Sequence, residues 1–571
     1  MTHVKSSTGA DSFLARHVPS TQWIRTYRWK KWLRLDVVAG ISVAALLIPE
    51  SLGYASIAGV PPEVGLYAAP LALLAYAILG RSTVLVVAAS SSTAAVSASI
   101  VAGLNSGDGT DAVTLSAALA LFTGTVLLVA GVLRLGWVAN FMSKTVIEGF
   151  IIGLSISIII GQLGGLLGIE VTGENAIAEF WSVLGQIGDW EPTTTAIGLA
   201  SLALLFGLER FIPRLPAALT VVALGVLYIV VIEPATVAIV GDIPQGLPSM
   251  GMPDISSSEI AGLVAGGLAV ALIGFSEGYG AASSFARKHG DRLHNNQEFI
   301  AIGTSNIGAG LSSGMVVGGS LSKTAANDAA GAKSQLSGIV NAILVVLTLL
   351  FLAPFFENLP EATLAAVVIH ALAHSADPRK LIPMWRITPI ETALAVAVLV
   401  AVLVLDTLPA IVVGVVISLL ILIYRVSFPQ AAEMGRDPAT GELESRAVHG
   451  DATPVPGIVI YRFDAPLMYA NAGSFASRAS DLVDAAEPPT QVLVADCEVM
   501  FGIDYTGTEA IEGLIEDMRK RNVEVRLSRV HTSVLDRLQK SGVLDLLGDG
   551  HVFDHIEDAV GAEPHPPTGD G

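Results

Sequence analysis

Between residues 36 and 424 the sequence carries fourteen apolar segments, several of them too short to cross a bilayer as a simple helix, and nothing else in the chain constrains the fold as much. They lie near 36–52, 64–80, 84–103, 112–133, 146–168, 194–209, 216–232, 259–284, 298–314, 320–332, 336–356, 362–376, 389–405 and 409–424. Backbone polar groups in hydrocarbon must be satisfied within the protein, so such segments fold as packed helices. Loop charge gives their direction. Between residues 35 and 425, Arg81, Arg134, Lys144, Arg210, Arg214, Arg287, Lys288, Arg292, Lys333, Arg379, Lys380, Arg386 and Arg425 all fall on one side when fourteen spans are threaded. The other side holds Glu63, Asp108, Asp111, Glu174, Glu179, Asp189, Glu191, Asp242, Asp254, Glu357 and Asp406, with no lysine or arginine. Basic residues collect in cytoplasmic loops. The expectation is a multi-pass protein of the inner (plasma) membrane with both termini cytoplasmic; Lys323, opening the tenth segment, is the exception to the charge rule.

The segments divide into two halves of seven with a shared pattern. Each half has an early segment bearing a carboxylate (Glu50, Glu277) and, two segments later, a short one that opens with hydroxyls, Ser90-Ser91-Ser92-Thr93 and Ser320-Leu321-Ser322-Lys323-Thr324. Seven is odd, so the second half runs through the membrane in the opposite sense. Inverted repeats with short interrupted helices in matching places are the mark of a secondary transporter. Two half-helices meeting N-terminus to N-terminus at mid-membrane converge free N–H groups and positive dipole ends on one point, where an anion is favoured. The first segment holds proline, carboxylate and glycines in Ile48-Pro49-Glu50-Ser51-Leu52-Gly53-Tyr54, where helix is expected to give way to irregular backbone.

With 52% hydrophobic and 15% charged residues, the composition is that of a membrane protein with a small soluble part. Of the net charge of −19, most belongs to the end of the chain, since residues 426–571 hold 11 Lys and Arg against 25 Asp and Glu. An acidic tail of this kind excludes a nucleic-acid partner, which would call for a basic stripe. Before the first segment, Trp23, Tyr27, Trp29 and Trp32 alternate with Arg25, Arg28, Lys30, Lys31 and Arg34, a mixture suited to a helix in the headgroup layer of the lipid bilayer. No small-residue cleavage site follows it, so it reads as a retained cytoplasmic anchor. The expected organisation is a cytoplasmic segment over 1–34, a transmembrane domain over 35–428 and a polar linker over 429–453. An α/β domain over 454–561 and a disordered tail over 562–571 complete it.

The stretch from Ile48 to Pro62, followed by Gly65-Leu66-Tyr67, resembles the signature of the sulfate permease (SulP) family of anion transporters. Likewise, Gly457 to Asn471 and Asp504-Tyr505-Thr506-Gly507 look like the STAS domain that usually ends those proteins. The resemblance implies a core and a gate that move in an elevator-like manner, a homodimer, and a cytosolic protein as a candidate partner of the STAS domain. By the same resemblance Tyr54 lines the anion site with Glu50, Ala89 and Ser90 open the third half-helix, and Ser320, Leu321, Ser322 and Lys323 open the tenth, where arginine is common in place of this lysine. Glu277 stands where the family has an acid linked to proton or cation coupling. Two positions depart from the pattern: Glu50 replaces the usual glutamine, and Ala88-Ala89 the usual Gly-Pro.

An ionised carboxylate as deep as Glu277 costs several kcal/mol unless protonated, paired or hydrated. The sequence around it, Gly274-Phe-Ser-Glu-Gly278, also fits the nucleophile elbow of hydrolases, but that motif needs a strand, turn and helix, whereas this one sits in a long apolar helix. His370 and His374 are spaced for one helix face, yet no third ligand accompanies them, and no metal is expected. Cys497 stands alone, which excludes an intrachain disulfide. The expectation is therefore not an enzyme and needs no cofactor. It is a secondary transporter of a small inorganic or carboxylate anion, sulfate foremost, entering with a proton. Bicarbonate or C4-dicarboxylate symport, chloride-type exchange, and a membrane-anchored STAS signalling protein are the alternatives.

Overall fold

The computed structural model describes residues 18–104, 110–136, 144–173, 175–212, 215–234, 236–289, 293–405 and 407–563. Residues 1–17, the tail from 564, and the loop charges Asp108, Glu174, Arg214, Arg292 and Asp406 lie outside the described residues. The chain forms two compact units, residues 1–418 and 419–571.

A helix occupies each of the fourteen expected segments. Among the described residues, seven helices are long and apolar enough to cross a bilayer by themselves. The third and tenth segments are the half-helices Ser91–Leu104 and Leu321–Ala329. By packing, the spans sort into two sets. The first four associate with the eighth to eleventh, as where Asn295–Leu311 lies along Ala112–Val132 and Ala69–Leu79. The fifth to seventh associate with the twelfth and thirteenth, as where Lys144–Leu167 lies along Pro389–Leu405 and Glu361–Ala373.

The first span corrects one expectation: helix Trp29–Ile57 runs straight through Pro49. Proline removes a single backbone hydrogen bond and its helix is held here by packing on almost every side, so the break is deferred to Ala58, with Gly59 in the left-handed region at φ 71°. The chain then turns back into Pro62–Tyr67 so closely that a Cβ on Gly65 would stand 2.0 Å from the carbonyl oxygen of Ser51. Backbone cannot yield as a side chain can. We expect Gly65→Ala to destabilise the protein by about 3 kcal/mol, seen as loss of monodisperse protein in detergent and a lowered thermal midpoint.

At the start of the same helix the buried Asp36 accepts hydrogen bonds from the Tyr27 hydroxyl (2.9 Å), the Ser334 hydroxyl (2.8 Å) and the backbone N–H of Lys333 (2.6 Å) and Ser334 (3.2 Å). The carboxylate ties the headgroup-layer segment to the start of the eleventh span.

The second unit contains a six-stranded mixed sheet in the order β4-β3-β5-β6-β7-β8. Strands β5 (Ile458–Phe463), β6 (Val492–Asp496), β7 (Glu524–Ser528) and β8 (Val552–Phe553) run parallel. Antiparallel β3 (Ala431–Arg436) and β4 (Leu443–Ser445) complete it. Those last two strands lie in the stretch expected to be a linker. Only Met434 and Gly435 of the two strands are buried and the other positions are half-buried, so the apolar alternation that marks a strand is weak in them. One face packs against helices Ala472–Ala485 and Tyr505–Lys520 through Tyr461, Phe463, Phe475 and Ile511; the other meets the short helix Ile556–Gly561. Cys497 is buried under the first of these faces, and burial pushes its thiol up to about 12. A raised pKa leaves almost no thiolate at neutral pH. Iodoacetamide at pH 8 is expected to label Cys497 only after the domain unfolds, as read by mass spectrometry.

Candidate anion site

The irregular backbone ahead of each half-helix is held group by group. Over residues 79–86, the Leu79 carbonyl accepts from Gln297 Nε2 (2.8 Å), the Arg81 N–H donates to Glu298 (3.1 Å), and the Val84 carbonyl accepts from Asn327 Nδ2 (2.8 Å). Gln335 Nε2 donates to the carbonyls of Ser82 (2.8 Å) and Leu85 (3.0 Å), and the Val86 N–H donates to Thr324 Oγ1 (3.1 Å). Every one of these side chains comes from the other half of the chain. Ahead of the second half-helix, Asn306 both accepts from the Val317 N–H (3.0 Å) and donates to its carbonyl (2.9 Å). Backbone freed from helix at membrane depth requires such partners.

The two segments then pair. Strand β1 (Val87–Ala88) lies antiparallel to β2 (Gly318–Gly319), with Val87 opposite Gly319 and Ala88 opposite Gly318. The half-helices leave this ladder with matching caps. Ser90 Oγ receives the N–H of Thr93 (3.4 Å) and lies 3.1 Å from Ser92 Oγ; Ser320 Oγ receives the N–H of Lys323 (3.4 Å) and lies 3.2 Å from Ser322 Oγ. Lys323 thus occupies in one repeat the place of Thr93 in the other.

Its ammonium is not free. Lys323 Nζ stands 2.6 Å from Glu50 Oε2, 3.2 Å from the Ala89 carbonyl and 4.8 Å from the centre of the Tyr54 ring. Lys323 is 0% and Glu50 3% exposed. The Tyr54 hydroxyl adds a 3.3 Å hydrogen bond to Glu50, closing the cluster. Removal of both charges from water is offset only because each has such partners.

Glu277 arrives from the other side, on Ile260–His289, and accepts a hydrogen bond from the Ser92 hydroxyl. Glycine permits the approach: a Cβ on Gly319 would stand 2.5 Å from the Cα of Gly278. The Gly-x-Ser-x-Gly pattern is therefore helix packing, and its Ser276 hydroxyl is spent on the Leu272 carbonyl (2.6 Å). Glu277 lies within electrostatic reach of both Lys323 and Tyr54. Glu50, Tyr54, Ala89, Ser90, Lys323 and Glu277 are thus brought together around the ends of the two half-helices. Ser322 is exposed, and so is Leu321, at 53%, unlike the buried charges of the cluster. His370 pairs with Glu209 at 2.8 Å, and among the described residues no group of metal-ligating side chains occurs.

The profile of the Sulfate permease family matches residues 33–399, well over half of the chain. The chain belongs to the sulfate permease family. A STAS domain matches residues 451–559 behind it. Members of this family are transporters of small anions, not enzymes. Among relatives, a "Probable sulfate transporter" of Mycobacterium tuberculosis is 33% identical over 95% of this chain and 97% of its own length. "Sulfate transporter 4.1, chloroplastic" of Arabidopsis thaliana is 29% identical over 95% of this chain and 82% of its own. Murine Slc26a9 in its inward-facing state superposes with a TM-score of 0.88 at 23% identity, covering 98% of this chain and 96% of that one, and so shares the fold. The transmembrane domain of the cyanobacterial bicarbonate transporter BicA gives a TM-score of 0.60 at 21% identity over 68% of this chain and 98% of that one.

The sequence places Ser92 in the hydroxyl opening without singling it out, and it did not point to the amides and carboxylate that hold residues 79–86. The available signal was their polarity: Gln297, Glu298, Asn306, Asn327 and Gln335 sit within or beside apolar segments, where an amide needs a reason.

Proposed function

We propose that this sulfate permease family member imports sulfate together with a proton across the inner (plasma) membrane, its basic loops and both termini cytoplasmic. The Glu50–Lys323 ion pair between the half-helix ends carries the reading. An anion entering the site competes with the Glu50 carboxylate for the ammonium, and a proton on Glu50 removes that competitor. Proton and anion thereby favour each other's binding, which is thermodynamic coupling. The hydroxyls of Ser90, Ser92, Ser320 and Ser322 and the N-terminal N–H groups of both half-helices supply the remaining ligands. Glu277, which accepts from the Ser92 hydroxyl beside the site, is the second proton carrier. Sulfate is preferred as cargo because relatives so named align along nearly the whole chain. The set of spans bearing the half-helices moves against the other set, elevator-like, in a homodimer.

The test is uptake by purified protein in liposomes, with labelled sulfate, bicarbonate, chloride and C4-dicarboxylates under an imposed pH gradient. Sulfate accumulation driven by acid outside is the expected result. Uptake of another anion alone, or no response to the gradient, would replace the reading. Deletion of residues 430–571 should leave part of the transport, whereas an output role for the STAS domain would make the spans alone inert.

A further inference from the structure

On the first span Gly53 lies about 4.5 Å and Ser56 about 9 Å beyond Glu50 along the helix axis. Ser56 lines a cavity of about 300 Å³ together with Gly161, Gln162, Glu361, Leu364 and Ala365. The twelfth span begins at Glu361 and descends from this cavity, so that Val368 lies about 10 Å deeper than its first residue. There it meets the first span. A Cβ on Gly53 would stand 2.4 Å from Val368 Cγ2, and Leu364 Cδ1 fills the same contact at 3.6 Å. Val368 is fully buried. The cavity and the charge cluster thus lie on either side of an apolar contact between helices of different sets.

We propose that the Gly53–Val368 contact, backed by Leu364, is the outer gate of the transport path and that the 300 Å³ cavity is its external vestibule. An apolar constriction bars an ion by excluding the water that would carry it. Because no side chain stands on the Gly53 side, the two helices close to van der Waals contact in this state and part cleanly when one set slides past the other. The gate rests on the side assignment proposed above but not on proton coupling, and its test needs no proton gradient.

The full chain with Cys497→Ala, expressed in intact cells, would carry a single new cysteine in the vestibule (Gln162→Cys) or in the charge cluster (Ser90→Cys). A membrane-impermeant methanethiosulfonate applied outside is expected to label Gln162→Cys at once and Ser90→Cys about tenfold more slowly or less. Adding Val368→Ala should raise the Ser90→Cys rate about tenfold and leave Gln162→Cys unchanged. Should Val368→Ala not yield folded protein, Gly53→Ala, whose methyl would hold the helices apart, should do the same. Equal rates at the two cysteines with Val368 present, or no acceleration in either folded gate variant, would overturn the gate. Labelling of Gln162→Cys only in inside-out vesicles would overturn it along with the side assignment, and loss of pH-driven uptake with intact gating kinetics would strike the proton reading alone.

Discussion

Replacing Lys323 by alanine is expected to lower anion uptake on the order of 100-fold, the loss typical of truncating one partner of a buried charge pair. The substitution also strands Glu50, buried and unpaired, at about 3–5 kcal/mol, so loss of uptake alone would not separate a binding role from a structural one. The double variant Lys323→Ala/Glu50→Gln separates them. With no stranded charge its fold should recover, as read by the thermal midpoint in detergent, while uptake should stay near that of Lys323→Ala. Lys323→Arg, which keeps the charge and offers a two-pronged donor, should retain measurable uptake. Normal uptake by a folded Lys323→Ala protein would refute the assignment.

The second large effect is on pH dependence. Glu277→Gln fixes the neutral state of that side chain and leaves Glu50 as the remaining proton carrier, so uptake should rise less steeply as the outside is made acid, while binding of labelled anion remains measurable. Glu50→Gln removes the competitor for Lys323 at every pH. It should transport, and its activity should extend to higher pH than in the parent protein. Sodium should not stimulate either one: a sodium site needs several oxygen ligands, and one turn beyond Glu277 stands Ala281. Sodium-dependent uptake by the parent protein, or an unchanged pH profile in both variants, would defeat the mechanism.

Much of this architecture is legible in the residues because the bilayer leaves few choices. Apolar runs and loop charge give the fourteen spans, and the hydroxyl openings at Ser90 and Ser320 mark the half-helices. Lys323 stands out in the sequence as the basic residue that defies the charge rule, and the structure pairs it with Glu50. What escaped has a physical cause. Strands of two residues, such as β1 and β2, show no periodicity. The effect of Pro49 was overestimated because a helix interior can lose one hydrogen bond when packing encloses it. Tertiary partners of a loop, such as Gln335 for Ser82, are 253 residues apart and leave no local trace.

That last separation has a consequence for how the chain is made. Residues 79–86 emerge from the ribosome and reach the membrane long before Gln297, Glu298, Asn327 and Gln335 exist to receive them. For the time needed to synthesise some 250 residues, about 12–50 s at ordinary elongation rates, the backbone that leads into the first half-helix has none of these partners. It must wait near water or within the insertion machinery. The first seven spans expressed alone should therefore be a substrate for membrane quality control, and co-expression with the second seven should rescue them, because each half of this transporter acts as the folding template of the other.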